Sequence, residues 1–331
     1  MAEASLMQAF VCTAITDDLS GTAVKQIARP APGKGEALIR VRAASVNFPD
    51  LLMCQGKYQF KPEPPFSPGM DIAGEIETLG AGVTSLKIGD AVVGGARLGG
   101  FAEYALASAA GLAPKPEAMS FAQAAAYPAA YLTAYVALVR RARIEKGETL
   151  LVHGAAGGVG LAAVDLGKLL GARVIATAST AEKRAFLKAY GADHVLTSSG
   201  FREEVKALTG GKGADVIYDP VGGDVFDESV RSIAFDGRLL VIGFTSGRIP
   251  SVSVNMPLIK GFSVVGVRAG EYGRQFPERG AENLAAIAKL AREGKLRPHV
   301  HAELPLSRTR DGLEMLANRQ VIGKVVIRPD L

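Results

Sequence analysis

A run of glycines offers the first chemistry in this sequence. Gly154, Gly157, Gly158 and Gly160 lie in TLLVHGAAGGVGLAAV with the spacing G-x-x-G-G-x-G. The apolar run TLLVHGA (149–155) reads as a strand, and GGVGLAAVDLGKLLGA (157–172) reads as a helix. The glycines therefore occupy a strand-to-helix turn. Glycine lets the backbone bend sharply and lets phosphate oxygens approach the N–H groups. The following helix presents its positive end and its free amides at the same place. Ala156, Gly157, Gly158, Val159 and Gly160 are thus candidates to hold the pyrophosphate of a dinucleotide. A tight turn without a ligand would use the same glycines, but the βαβ series that starts here favours the ligand.

The same series decides between the two nicotinamide dinucleotides. An NAD site places Asp or Glu about 20 residues on, to bind the ribose hydroxyls. Here that position falls on Ser179, in ATASTAEKR, and Glu182 comes only inside the next helix. Ser179 and Thr180 offer hydrogen bonds, and Lys183 and Arg184 supply positive charge. This set accommodates a 2′-phosphate, which an acid at the strand end would repel. The expected cofactor is NADPH, with a solvated helix face as the plainer reading of the two cations.

These residues need elements to position them, and the chain has two grammars. Up to about residue 125, short apolar runs (FVCTAI, EALIRVRAASV, DIAGEIETLG, DAVVGGA, GFAEYALA) alternate with Gly and Pro punctuation, the pattern of a barrel or sandwich. KPEPPFSPG (61–69) is a loop, because proline cannot donate to a ladder. SFAQAAAYPAAYLTAYVALVRRA is helical, with a break at Pro128. Strands then alternate with helices: RVIATA (173–178), TAEKRAFLKAYGA (180–192), HVLTS (194–198), FREEVKALTGG (201–211), ADVIYDPV (214–221), DVFDESVRSIAFDG (224–237), RLLVIGF (238–244) and FSVVGV (262–267). Such alternation means a parallel, doubly wound sheet. A helix at 282–294, strands at 299–304 and 323–329, and a helix around Asp311–Asn318 complete the chain.

Composition bounds the function. The 331 residues suggest about two domains. The net charge of +5 is spread along the chain, and with no Trp and 6% aromatics there is no basic, aromatic stripe for nucleic acid. No apolar run is long enough to span a membrane. The first ten residues lack a basic n-region, so the cytoplasm is the expected compartment. Cys12 and Cys54 build neither a disulfide framework nor a four-thiolate zinc site. His299 and His301 stand two apart on a strand without a visible third ligand, and His153 and His194 read as packing residues at strand ends.

The segments SVNFPDLLMCQGKY (45–58), PFSPGMDIAGEIETLGAGV (65–83), IGDAVVG (88–94), HGAAGGVG (153–160), GADVIYDPVGGDVF (213–226), GRLLVIGF (237–244) and GKVVI (323–327) together resemble the zinc-independent quinone oxidoreductases, the zeta-crystallin-like branch of the medium-chain dehydrogenases/reductases. The resemblance covers most of the chain. It implies an α/β protein with a GroES-like β-barrel catalytic domain (1–127 and 268–331) and a doubly wound parallel Rossmann domain (128–267). It also implies a homodimer joined edge to edge through the last Rossmann strand, FSVVGV. Zinc-dependent cousins carry a His-Glu pair after a Pro-Gly. Here Pro68-Gly69 is followed by Met70-Asp71, and a thioether is a poor zinc ligand. No metal site is expected.

The resemblance assigns Asn47, in S-x-N-x-x-D, and Tyr58 to the catalytic pocket beside the nicotinamide. Asn47 would hydrogen-bond the acceptor carbonyl, and the Tyr58 hydroxyl would donate without charge. Capping and barrel packing are their plainer roles. Thr133 would touch the nicotinamide, and Phe244, Thr245, Val267 and Arg268 follow strand ends where ligands of doubly wound sheets sit. Some relatives carry Tyr or Arg over the adenosine phosphate where this chain has Ser198, with Arg268 and Lys324 as possible replacements. The implied reaction is hydride transfer from NADPH to a quinone. Reduction of an activated C=C bond (an alkenal, a 2-haloacrylate or an enoyl thioester) and non-catalytic NADPH binding remain as alternatives.

Overall fold

The computed structural model describes residues 5–331. They form two compact units: the described residues through Pro128 together with Pro298–Leu331, and Ala129–Arg297.

The first unit contains β1 (Leu6–Cys12), β2 (Thr22–Ala28), β3 (Glu36–Ser45), α1 (Phe48–Cys54), β4 (Asp71–Leu79), β5 (Ala91–Gly95), β6 (Tyr104–Ser108), β7 (Leu112–Pro114) and α2 (Phe121–Ala126). The second contains α3 (Pro128–Tyr135, its first residue at the boundary), a π-helical turn at Val136–Arg141, β8 (Thr149–Val152), α4 (Gly158–Leu169), β9 (Arg173–Ala178), α5 (Ala181–Tyr190), β10 (His194–Thr197), α6 (Arg202–Leu208), β11 (Ala214–Asp219), α7 (Gly223–Ser229), β12 (Ile233–Val241), α8 (Asn255–Lys260), β13 (Ser263–Gly266), α9 (Ala269–Gln275) and α10 (Pro277–Arg292). The chain returns to the first unit with β14 (Val300–Pro305), α11 (Thr309–Ala317) and β15 (Lys324–Arg328).

In the barrel unit β15 pairs antiparallel with β3, and β3 with β4, so the end of the chain closes onto its beginning. Ser45 of β3 lies opposite Asp71 on one side and Val326 on the other. Ile39, Met53, Ile72, Ile76, Phe101 and Ile327 fill the core. The α1 helix is short, opens with Pro49 in its first turn, and buries Asp50, Leu51, Met53 and Cys54. Gly69 holds the loop before β4 at a φ of 101°, where a Cβ would meet the Phe101 nitrogen at 2.5 Å. Only glycine fits there.

The Rossmann unit carries a parallel six-stranded sheet in the order β10-β9-β8-β11-β12-β13. Leu150, Leu151, Val152, Ile175, Ile217 and Leu239 are fully buried within it, as strands covered on both faces require. Pro128 separates α2 from α3, as its missing N–H predicts. Two expectations shift. The helix expected over 224–237 stops at Ser229, and β12 starts at Ile233, with Asp236 at positive φ and a register shift against β11. The division expected at 267/268 falls at 297/298 instead. The reason is packing: α10 buries Ile287 and Ala291, and its Asn283 accepts a hydrogen bond from Arg140 Nε at 2.7 Å. Arg297 then donates through its Nε and its backbone N–H to buried Asp165 of α4, at 2.8 and 3.0 Å. No helix among the described residues is long and apolar enough to cross a membrane.

Candidate active site

The barrel unit brings together side chains from four separate segments. Asn47 stands at the head of α1. Its Nδ2 donates to Asp71 Oδ2 at 3.0 Å and to the Ser45 carbonyl at 3.2 Å. Its Oδ1 accepts from Lys324 Nζ at 2.5 Å. The antiparallel β15–β3–β4 pairing places Lys324, Ser45 and Asp71 around it. Asp50, in the first turn of α1, accepts from the Asn47 backbone N–H at 2.8 Å and from the Gly69 N–H at 3.0 Å. Asn47 is the N-cap of α1, as its plainer reading foresaw, in a capping box with Asp50, and its amide nitrogen faces the polar cluster.

This cluster is charged and dry: Lys324 is 7% exposed and Asp50 is 0% exposed. Burial pushes the Asp50 carboxyl up to about 7, against the pull of the two backbone N–H groups. Burial also lowers the Lys324 ammonium, while Asp71 and Asp50 oppose that shift. The Asn47 amide has spent both of its hydrogens inside the barrel, so it cannot also donate to an acceptor carbonyl as the sequence suggested. Tyr58, past the end of α1, packs half-buried against the barrel core, as do Phe48, Phe60, Met70 and Leu98. The Arg97 guanidinium lies 4.4 Å over the Phe60 ring.

Zinc does not fit these residues. Met70 offers a thioether, and burial pushes the Cys54 thiol far up, away from the thiolate that zinc needs. Among the described residues no group of three or more His, Cys, Asp and Glu side chains is arranged to hold a metal ion.

The Rossmann unit contributes backbone. The β8 strand ends at Val152, and His153–Gly157 turns into α4. Gly157 is the N-cap in an extended conformation with no side-chain cap, so the first amides of α4 have no partner in the helix. At Gly160 a Cβ would meet the Gly154 carbonyl oxygen at 2.4 Å and the Ala155 Cα at 2.7 Å. The loop is closed so tightly that only glycine leaves it intact, and it is tethered by the Ala155 N–H to the Thr177 carbonyl of β9. A bare cradle of amides at a helix N-terminus suits a pyrophosphate.

Beyond β9, Ser179 and Thr180 are exposed. Thr180 caps α5 by accepting the Lys183 N–H at 3.2 Å. Arg184 folds back, its Nη1 donating to the Ala178 and Ser179 carbonyls at 3.3 and 3.1 Å. Ser198 leaves β10 beside them, since Thr197 pairs with Ala178 in parallel register. The sequence thus placed Ser179, Thr180, Lys183 and Ser198 at one corner.

Phe244, Thr245, Val267 and Arg268 follow β12 and β13 at the same carboxyl edge of the sheet. Arg268, however, lies beyond an edge strand separated from β9 by β8, β11 and β12. At about 4.8 Å per strand that is roughly 19 Å from Ser179, too far to replace Ser198 over a phosphate. It pairs at 3.7 Å with Glu271. Lys324 belongs to the barrel unit, where its Nζ donates to Asn47 Oδ1. The Thr133 hydroxyl donates to Ala129 within α3 at 2.7 Å, the plain helical role.

His153 is buried completely. Its Nε2 lies 2.8 Å from Ser229 Oγ, and its Nδ1 lies 3.0 Å from Thr177 Oγ1. Ser229 already donates to the Val225 carbonyl at 2.6 Å. Ser229 must therefore accept from His153 Nε2–H, and Thr177 must donate to Nδ1. Burial lowers this imidazole to about 3, so it is neutral and structural. Sequence reasoning missed Ser45, Asp71 and the Asn47–Lys324 bond; the one signal was the acid directly after Pro68-Gly69-Met70.

Comparison with known proteins agrees with both units. Residues 33–117 match the alcohol dehydrogenase GroES-like domain family, and residues 158–286 match the zinc-binding dehydrogenase family. A quinone oxidoreductase-like protein 2 homolog of Nematostella vectensis is 39% identical over 300 residues, covering 89% of this chain and 82% of its own. A mycobacterial protein solved in complex with NADPH is 32% identical, with a TM-score of 0.90 over 98% of this chain and 100% of the other. The CurK enoyl reductase is 27% identical, with a TM-score of 0.88 over 98% and 99%.

Proposed function

This chain belongs to the medium-chain dehydrogenase/reductase family, among its quinone oxidoreductase-like members, and from that premise we propose that it is an NADPH-dependent quinone reductase working without a metal. It is an oxidoreductase by family; the cofactor and the acceptor are the proposal. The observation that carries it is the pairing of two features. One is an amide cradle at Ala156–Gly160 with hydroxyls rather than an acid at the end of β9, and cations in the helix that follows. The other is a buried polar cluster around Asn47 whose neighbours suit no zinc.

NADPH, when bound, supplies a hydride from its nicotinamide ring. The glycine turn would hold the pyrophosphate, while Ser179, Thr180 and Lys183 would receive the 2′-phosphate, with Arg184 holding their turn in shape. A quinone suits a site without a Lewis acid, because its conjugated carbonyls accept hydride readily. Alcohol oxidation would need alkoxide charge stabilised before hydride leaves. The half-buried Phe48, Tyr58, Phe60 and Met70 offer a flat apolar ring system its contact surface.

The likeness to an enoyl reductase supports a second reading, reduction of an activated C=C bond. The test follows nicotinamide absorbance with chelator-treated protein, NADPH or NADH, and a panel of quinones, an alkenal and a haloacrylate. Quinone turnover that prefers NADPH is the expected result. Turnover of the alkenes alone moves the protein to the second reading. NADH preference or loss on chelation overturns the proposal.

We also propose a homodimer through β13. It is an edge strand, Val264 on it is exposed, and Ile249, Val254, Leu258 and Ile259 nearby are exposed as well. A second copy would pair that edge and cover the apolar side chains. Light scattering should give twice the chain mass. The two unpaired thiols, Cys12 and Cys54, suit a reducing cytoplasm.

A further inference from the structure

NADPH would reach across two anion sites of the Rossmann unit, the glycine turn after β8 and the Ser179 corner after β9. A ligand that bridges two sites gains over its fragments only while the spacing of those sites is held. The ladder between β8 and β9 ends at the pair Val152 and Ala176. Beyond it the strands part, one into the turn and one toward Ser179. Two hydrogen bonds join the parting segments, and both run through Thr177. Its carbonyl accepts the Ala155 N–H at 3.1 Å, and its hydroxyl lies 3.0 Å from His153 Nδ1.

The direction of the second bond is fixed. Ser229 Oγ gives its one hydrogen to the Val225 carbonyl, so it accepts from His153 Nε2–H, and Nδ1 is left with a lone pair. Thr177 must donate to it. His153, Thr177 and Ser229 are all fully buried, and the Phe201 ring lies 4.7 Å from the imidazole. Without Nδ1 the Thr177 hydroxyl would lose this acceptor in a dry interior, which is unfavourable. The His153 backbone N–H donates to the Tyr218 carbonyl of β11 at 3.0 Å. The residue before the turn is therefore anchored to β11 by its backbone and to β9 and α7 by its side chain.

We propose that His153 is a positioning residue for NADPH: by holding the Thr177 hydroxyl it sets the spacing between the glycine turn and the Ser179 corner, and so matches the two phosphate sites to one ligand. The inference rests on the NADPH reading above. Every residue in it belongs to the Rossmann unit. Buried completely, the imidazole acts through Thr177 rather than on the ligand. The Thr177 carbonyl fixes Ala155 beside the cradle, and two residues further along the chain stands Ser179. Arg184 holds the same segment from the other side, on the Ala178 and Ser179 carbonyls.

Two amides divide the role of the imidazole. His153→Asn puts an oxygen near the place of Nδ1, so Thr177 keeps its acceptor and Ser229 loses its donor. His153→Gln puts its amide near the place of Nε2, so Ser229 keeps its donor and Thr177 loses its acceptor. Three ligands are titrated calorimetrically against the full chain: NADPH, which spans both sites, ADP, which reaches the turn alone, and adenosine 2′-monophosphate, which reaches the corner alone. Urea unfolding is followed beside them. His153→Gln should bind NADPH about tenfold more weakly, with ADP and adenosine 2′-monophosphate within roughly twofold of the wild type. His153→Asn should keep NADPH within about threefold, although its unfolding midpoint falls as far as that of His153→Gln. Thr177→Val, which removes the hydroxyl and keeps the carbonyl, should repeat the His153→Gln pattern.

Unchanged NADPH affinity in His153→Gln and Thr177→Val overturns the proposal. So does an equal loss for all three ligands, or an equal loss in the Asn and Gln variants, which would leave His153 a plain packing residue. Should the variants fail to fold, the wild type decides by hydrogen exchange at the Ala155 amide. Protection without ligand is the expected result, and exchange as fast as in an open loop overturns the assignment, since the tether must stand before NADPH arrives. A wild type that prefers NADH and does not bind adenosine 2′-monophosphate overturns the NADPH reading and this inference together. Wild-type preference for NADPH with an unaltered His153→Gln overturns the inference alone.

Discussion

The glycine turn at 154–160 offers backbone to a ligand, and the Asn47 cluster is built of side chains. The turn needs no charge, because α4 supplies oriented amides and Gly160 supplies only the absence of a Cβ. The cluster needs charge and must be kept from water, so Asp50, Asp71 and Lys324 are buried at an energetic cost. The Rossmann unit buries carboxylates too, Asp165 and Asp219, and beside them a neutral imidazole, His153. The Asp50 carboxyl and the His153 imidazole therefore store opposite responses to acid, and that contrast can be broken experimentally.

The largest effect should be in stability against pH. The Asp50 carboxyl is raised to about 7, so its contribution is complete below about 3.8 and is lost as pH rises through about 7. The His153 imidazole is lowered to about 3, so its contribution is complete above about 6.5 and is lost as pH falls toward about 3. Acidification from neutrality should strengthen the Asp50 contribution to the barrel unit and weaken the His153 contribution to the Rossmann unit, each by several kcal/mol at full titration. Hydrogen exchange read by mass spectrometry separates the units. His153→Gln should remove the acid sensitivity of the Rossmann unit, and Asp50→Asn should flatten the slope of the barrel unit. A parallel shift of both units would break the comparison.

Next in size is Gly160→Val. The added side chain meets the Gly154 carbonyl and forces the turn open. Strain of roughly 2–3 kcal/mol should weaken NADPH binding about 30- to 100-fold. Protection of the barrel amides should not change. Ser179→Asp is smaller: it restores an acid at the end of β9, and NADPH should weaken by about tenfold while NADH gains. Isothermal titration with both cofactors reads the difference. Thr180→Ala removes the α5 cap and should cost about 1 kcal/mol in urea unfolding of the Rossmann unit.

The legibility of the two regions differed for a physical reason. The dinucleotide site is contiguous: strand, glycines and helix follow one another in a single stretch, so spacing alone revealed it. Ser179, Thr180 and Lys183 were readable because they sit at a fixed offset along the same βαβ unit. The barrel cluster joins residues far apart in the chain, and no local pattern shows that Lys324 will meet Asn47. The lysine was visible in GKVVI, and the sequence suggested a phosphate contact for it; only the β15–β3 pairing reveals its partner. The helix end at Ser229 was likewise hidden, because β12 begins early with Ile233 opposite Ala214 of β11, ahead of a register shift that no local preference encodes.

The bond between Asn47 and Lys324 spans 277 residues of sequence. On a ribosome adding about 5–20 residues per second, that is a wait of roughly 15–55 s. Throughout that wait the cluster lacks Lys324, and β3 lacks its β15 neighbour. The Rossmann unit is an unbroken stretch, Ala129–Arg297, and needs nothing that is made later. Its fold should therefore stand complete while the barrel is still open. A chain halted at residue 297 should resist protease over 129–297 and be cut throughout the barrel segment. The strand that brings Lys324 is thus also the strand that pairs with β3, so the Asn47 cluster is complete only when synthesis reaches it.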